Sequence, residues 1–282
     1  MICINLVKMK TTKNIMSVDL EDYFCDLPFS TWEKFEPRVI ENTKTILELF
    51  EKYKITATFF TLGYIAERFP ELIEEIKSKG HELASHSYSH HDLRQITRED
   101  FESDLLKSIK IIQKISGEKV LGFRAPFFSI EKENFWVFDV LKNHIKYDSS
   151  IFPVKTPLYG IPNAPRHMYK MNSSDPIHES LSGELLEIPL ATMKFPIRNI
   201  PIAGGFHLRF LPTKLLKYGI DKINKSGNHA MLYIHPKDLD PKMPQIEEYG
   251  WYYYWNLKGA KRKFESILKN FKFSSVRDTI NL

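Results

Sequence analysis

The chain has 282 residues, 43% hydrophobic and 27% charged. That balance excludes a disordered chain and needs no more than one large core. The net charge of +5 arises from basic residues interleaved with acids, as in Glu71, Glu74, Glu75, Lys77 and Lys79, so no basic stripe for nucleic acid is expected. The two cysteines, Cys3 and Cys25, form no CxxC pair and imply no disulfide framework. No apolar run reaches the roughly 18 residues of a membrane span. Ile2 to Val7 is too short and interrupted for a signal-peptide core, and the default expectation is a cytoplasmic protein. Aromatic residues stand at 13%, more than a core needs. They suit either a Phe-rich interior or a groove that packs sugar rings.

In chain order, strand-like runs alternate with helical patterns. Asn14 to Val18 reads as a strand and Val39 to Tyr53 as an amphipathic helix. Ala57 to Thr61 reads as a second strand, and Ile65 to Ser78 as a helix closed by Gly80. His81 to Ser85 is a third strand. Thr97-Arg-Glu-Asp has capping-box spacing and opens a helix to about Ser116. Val120 to Phe123, a helix Glu133 to Asn143, and a strand Ile145 to Asp148 follow. Prolines 153, 157, 162, 165 and 176 break the pattern from Phe152 to about Gly183 and predict a long loop insertion. Regularity returns with Leu185 to Pro189, a helix near Pro212 to Ser226, a strand Ala230 to Ile234, a helix Lys258 to Asn270 and a short run Phe273 to Val276. This β-α alternation predicts an α/β fold: a parallel sheet, closed or nearly closed as a barrel, with the functional residues where strands end.

Several strand ends carry chemistry. His86 and His90, four residues apart, can present both imidazoles to one metal ion, though ten histidines in the chain make such a pair unremarkable alone. Asp19, Glu21 and Asp22 crowd three carboxylates at the end of the first strand. One can complete a His-His-carboxylate set and another act as general base; an acidic solvated turn is the plain alternative. Arg124 ends the fourth strand and can orient a carboxylate. Asp148 ends the fifth, as a cap or a partner for a histidine. His235 ends the last apolar strand, where it can protonate a leaving amine.

These residues together resemble the motifs of the NodB-homology polysaccharide deacetylases, carbohydrate esterase family 4. Asp19 to Asp22 is similar to the family's paired aspartates, and Thr58-Phe59-Phe60 to its Thr-Phe-Phe strand. His86-Ser87-Tyr88-Ser89-His90 is similar to its His-Ser/Thr-x-x-His metal motif, Arg124-Ala125-Pro126-Phe127 to its Arg-x-Pro-Phe/Tyr, and Leu232-Tyr233-Ile234-His235 to its late Leu-x-x-His strand. Tyr159 to Pro162, Gly204-Gly205-Phe206, Tyr233-Ile234-His235-Pro236 and Trp255-Asn256-Leu257 look like the subgroup found with exopolysaccharide and exosortase loci.

The resemblance implies a distorted (β/α) barrel of the NodB-homology type. It implies a single domain over 1–282, with an insertion at about 152–183 and a C-terminal extension at about 236–282. It further implies removal of N-acetyl groups from an amino-sugar glycan, with His86, His90 and one carboxylate holding a divalent metal, most simply Zn²⁺. Asp19 would be the base, Arg124 would hold it, and a backbone N–H near Phe127 or Phe128 would face the oxyanion. His235 would be the acid, with Asp148 holding it charged. The first motif departs from the family's adjacent pair, so the ligand stays open between Glu21 and Asp22. Two rival readings are an allantoinase-like cyclic amide hydrolase and a carbohydrate-binding protein without turnover. The long loops could shape a groove or form an oligomer contact.

Overall fold

The computed structural model describes residues 12–282; Cys3 and the Ile2–Val7 run lie outside them. The elements are β1 (Lys13–Leu20), α1 (Val39–Tyr53), β2 (Thr58–Thr61), α2 (Gly63–Arg68), α3 (Pro70–Ser78), β3 (Glu82–Ser85) and α4 (Arg98–Ser116). Next come β4 (Gly122–Phe123), α5 (Trp136–His144), β5 (Tyr147–Asp148), β6 (Tyr169–Met171), β7 (Leu185–Glu187), β8 (Thr192–Lys194) and β9 (Asn199–Pro201). The chain ends with α6 (Gly205–Phe210), α7 (Thr213–Lys225), β10 (Met231–Ile234), α8 (Leu257–Asn270), β11 (Lys272–Ser274) and α9 (Val276–Ile280).

The main sheet runs β10-β1-β2-β3-β4-β5-β7-β6, with β11 also paired to β1. All its pairings are parallel except β6 with β7. From Asn14 to Leu20 every β1 residue is buried, as expected of a parallel strand covered on both faces. The sheet curls until Ala191, just past β7, donates its N–H to Met231 O of β10 at 3.0 Å. That bond brings the two ends of the sheet together and leaves a barrel without a full closing ladder. One large apolar core lies between the sheet and α1, α3, α7 and α8; a second lies under α4 and α5, around Phe101, Phe123 and Phe138.

Local departures from the sequence expectation have local causes. The helix expected over Ile65 to Ser78 is two helices, broken at Phe69 (φ −132°, ψ 61°). Pro70 supplies no N–H and disfavours helical geometry in the residue before it, yet fits the first position of α3. The Phe152 to Gly183 stretch contains β6, which pairs antiparallel to β7. The β8–β9 hairpin and α6 carried no periodic signal, being three, three and six residues long. Among the described residues, no helix is long and apolar enough to cross a membrane.

Candidate metal and acid–base site

Because the strands are parallel, their C-terminal ends deliver β1, the loop after β3, the end of β4 and the end of β10 to one mouth. A cavity of about 670 Å³ opens there, lined in part by Asp19, Glu21, His86, His90 and His235. The loop carrying the histidines is built with strain. Ser87 (φ 68°), His90 (φ 55°), Phe127 (φ 56°) and Phe128 (φ 51°) all occupy the left-handed region, which costs non-glycine residues energy and clusters at functional sites. Asp104 of α4 holds this loop, accepting from the Tyr88 N–H (2.6 Å) and from the N–H and hydroxyl of Ser89. The Gly63 N–H donates to Ser87 O at 2.9 Å. A Cβ on Gly63 would stand 2.7 Å from the Tyr88 ring, so only glycine permits this approach.

The structure brings together Glu21, His86 and His90, whose ligand-type atoms all lie within 4.8 Å of one another. His86 Nδ1 lies 2.7 Å from Arg124 O and His90 Nδ1 lies 2.9 Å from Cys25 O. A carbonyl only accepts, so each Nδ1 carries the proton and each Nε2 keeps a free lone pair. Glu21 Oε2 sits 2.9 Å from His90 Nε2 and 4.0 Å from His86 Nε2. Oε2 is also buried without an aligned hydrogen-bond donor among the described residues. A buried carboxylate oxygen without a donor, facing two imidazole lone pairs, is a donor set that fits a divalent cation.

Burial pushes the His86 imidazole down to about 4, keeping it in the neutral form that ligates. Burial also acts against the charged form of Glu21, but Lys237, together with His90 and His235 when these are protonated, holds that carboxyl well below its ordinary value. Lys237 Nζ donates to Glu21 Oε1 at 2.8 Å and to Asp26 Oδ2 at 2.7 Å.

Asp22 is placed elsewhere. Its carboxylate accepts from the Tyr23, Arg38 and Val39 N–H groups at 2.8, 2.7 and 2.9 Å. It thus serves the unpaired amides at the start of α1, and burial pushes its pKa up to about 6. Successive side chains on an extended chain face opposite ways, which separates Asp22 from Asp19 and Glu21.

Asp19 Oδ1 receives Arg124 Nη1 at 2.5 Å. Arg124 is fully buried, and its other donors reach Ser17 Oγ, Ser149 O and Ser149 Oγ at 2.9–3.0 Å, with Phe60 stacked 4.1 Å away. His235 Nε2 faces Asp19 Oδ2 at 3.8 Å and Glu21 Oε1 at 3.6 Å. Its Nδ1 meets Asp238 Oδ2 at 2.9 Å. Burial alone would lower the His235 pKa; the Glu21 and Asp238 carboxylates outweigh burial and raise it. Burial would likewise raise Asp238, yet His235 and Arg209 hold it down to about 2.

Asp148, expected beside a histidine, is buried under the site instead. It accepts from Ser150 N–H (2.9 Å) and Ser150 Oγ (2.7 Å), and burial raises its pKa. Burial and the Asp148 charge push the Glu187 pKa well up. The partner of His235 is therefore Asp238, three residues on, a spacing legible in His235-Pro-Lys-Asp238 but not singled out. Lys237, Asp26, Ser17 and Ser149 were also missed, because each acquires its role only through contacts from distant strands. Of the two N–H groups expected at the oxyanion, that of Phe128 donates to Ala125 O at 3.2 Å.

Residues 30–141 match the polysaccharide deacetylase family profile, and residues 149–281 match a domain of unknown function, DUF3473. A peptidoglycan deacetylase of Helicobacter pylori is 28% identical over 214 residues, covering 74% of this chain and 64% of that protein. A chitooligosaccharide deacetylase of Sinorhizobium fredii is 33% identical over 100 residues, 35% of this chain and 44% of that protein. The chain thus spans less than two thirds of the length of these curated relatives. In fold, it is similar to a putative polysaccharide deacetylase from Mycobacterium smegmatis (TM-score 0.58, 16% identity, 93% of this chain and 87% of that one). It is also similar to an allantoinase (TM-score 0.59, 14% identity, 95% and 88%). The segment that matches the polysaccharide deacetylase family carries His86, His90 and Arg124, and likeness to a peptidoglycan deacetylase extends over 74% of the chain.

Proposed function

We propose that the protein is a metal-dependent hydrolase that removes N-acetyl groups from an amino-sugar glycan or its precursor. The observation that carries this reading is the convergence, in one cavity, of Glu21 with two imidazole lone pairs, of the Asp19–Arg124 pair and of the His235–Asp238 pair. Glu21, His86 and His90 would hold the cation, for which Zn²⁺ suits the nitrogen and oxygen donors. When bound, the cation supplies Lewis-acid polarisation of the acetamide carbonyl and of a water.

The chain's own residues do the rest. Asp19, fixed by Arg124, accepts a proton from the water as its oxygen bonds to the carbonyl carbon. The Phe127 N–H is the candidate donor to the oxygen that gains charge. His235 gives its Nε2 proton to the sugar nitrogen as the C–N bond breaks, leaving acetate and a free amine. Asp238 holds the imidazole in the orientation and charge state this transfer needs. The arrangement is taken as one domain, because β10 and β11, from the second matched region, pair with β1.

Metal analysis of purified protein and of His86→Ala, with acetate release from chito-oligomers set against ring opening of allantoin, tests the reading. Stoichiometric metal lost in the variant and acetate from the oligomers are expected. Full activity without metal would sink the scheme, and turnover of allantoin alone would favour the fold's other chemistry.

A further inference from the structure

Four exposed rings line the same cavity, Phe206 and Phe210 on α6 and Trp251 and Tyr252 just before α8, and a fifth exposed ring, Trp255, packs against Phe210 and Trp251. Their exposures run from 36% at Phe210 to 66% at Trp251. Phe206 and Phe210 stack at 4.4 Å, Phe210 approaches Trp251 and Trp255 at 5.8 and 5.6 Å, and the two indoles stand at 85° to each other. Rings this large are normally buried, and a contiguous exposed patch marks a binding surface.

The patch is also held rigidly. Arg209, buried between its two halves, donates Nη1 to the carbonyls of Tyr253 (2.5 Å), Tyr252 (3.3 Å) and Trp255 (3.2 Å). Its Nη2 lies 3.4 Å from Asp238 Oδ1, so one guanidinium ties the aromatic wall to the partner of His235. Fixing apolar rings in water before any ligand arrives lowers the ordering cost of binding.

We propose that this wall is a binding platform for the sugar rings that flank the reacting unit, so that the substrate is an oligomeric, uncharged glycan chain and not a single sugar or sugar nucleotide. This rests on the deacetylase reading and assigns a role to the region that matches a domain of unknown function. Continuity carries it: Phe206, Phe210, Trp251 and Tyr252 line the cavity that also holds Glu21, His86 and His90. A chain extending from a sugar at Asp19 must pass over a cavity wall, and pyranose faces, with their axial C–H groups, match flat rings. Within the segment that carries the two indoles, the charge present does not favour an anionic membrane or a polyphosphate as occupant. Between Lys242 and Lys258 the only charged residues are Glu247 and Glu248, both exposed.

The test uses full-length Trp251→Ala, Phe210→Ala and the ring-retaining Trp251→Phe, with N-acetylglucosamine and chito-oligomers of two to five units. The ratio of kcat/KM on the pentamer to that on the single sugar is expected to exceed a hundred and to fall at least tenfold in the two alanine variants. Trp251→Phe should retain most of it. A ratio cancels any general loss of folded enzyme. Tryptophan fluorescence should report saturable pentamer binding that Trp251→Ala abolishes. If nothing is deacetylated but that titration saturates, the platform stands and the deacetylase reading falls. Deacetylation that ignores chain length overturns the platform alone. Ring-dependent sedimentation with phosphatidylglycerol vesicles, and no pentamer effect, overturns it in favour of a membrane surface.

Discussion

Each charged side chain in the site has a partner whose removal should be read separately. Lys237 sits between Glu21 and Asp26. Replacing it by Met takes the cation from the buried Glu21 and the half-buried Asp26 carboxylates, which costs about 3–5 kcal/mol. A divalent cation on Glu21 would offset part of that cost, so the drop in Tm for Lys237→Met should be larger without added metal than with it. Equal drops would mean that Glu21 does not meet the cation. Asp22 offers the opposite control. Asp22→Ala should cost about 1–2 kcal/mol through lost capping of α1 while metal content stays at the native level; loss of metal would return Asp22 to the ligand set. Asp238→Asn should lower kcat by about 10²–10⁴ with the fold intact, visible as unchanged circular dichroism beside slowed acetate release.

Elements matter here as fixtures for short loops. The α6 helix begins where Gly205 leaves no room: a Cβ there would lie 1.7 Å from Asp238 Oδ2. Gly205→Ala must therefore displace the carboxylate that orients His235, and about a hundredfold loss in kcat with near-native KM is expected from steady-state kinetics. On α4, Asp104 carries the bonds that shape the Tyr88–Ser89 turn. Removing it should release the strained His90 backbone, so Asp104→Ala should weaken cation binding about 10–100-fold in a chelator competition.

For the whole molecule, pH acts through buried histidines away from the site as well as within it. His81, whose Nδ1 accepts the Ala57 N–H at 3.1 Å, has its pKa pushed down to about 4 by burial and by Lys79. The folded state thus prefers the neutral ring. Its contribution is intact above the unfolded value of about 6.5 and is lost as pH falls from there towards 4, up to about 3 kcal/mol. Urea midpoints of the parent and of His81→Asn between pH 7 and pH 4.5 should converge as pH falls; parallel curves would exclude His81 as a source of acid lability.

The sequence by itself determined the elements with strong periodicity: the span of α1, the cap of α4 at Thr97 and the apolar β10 strand are all legible in residue order. It also determined the chemical inventory at the strand ends, because parallel strands followed by short loops must present their C-terminal residues on one side. The β8–β9 hairpin and α6 escaped, since three or six residues without a clear apolar run cannot display a period. Tertiary structure alone decided that Glu21 and not Asp22 faces the histidines, that Asp238 and not Asp148 holds His235, and that Lys237 neutralises the carboxylates. The physical reason is the same in each case. Extended chain fixes which neighbours share a face, but the amides of α1, the hydroxyl of Ser150 and the ends of distant strands choose which carboxylate they bind.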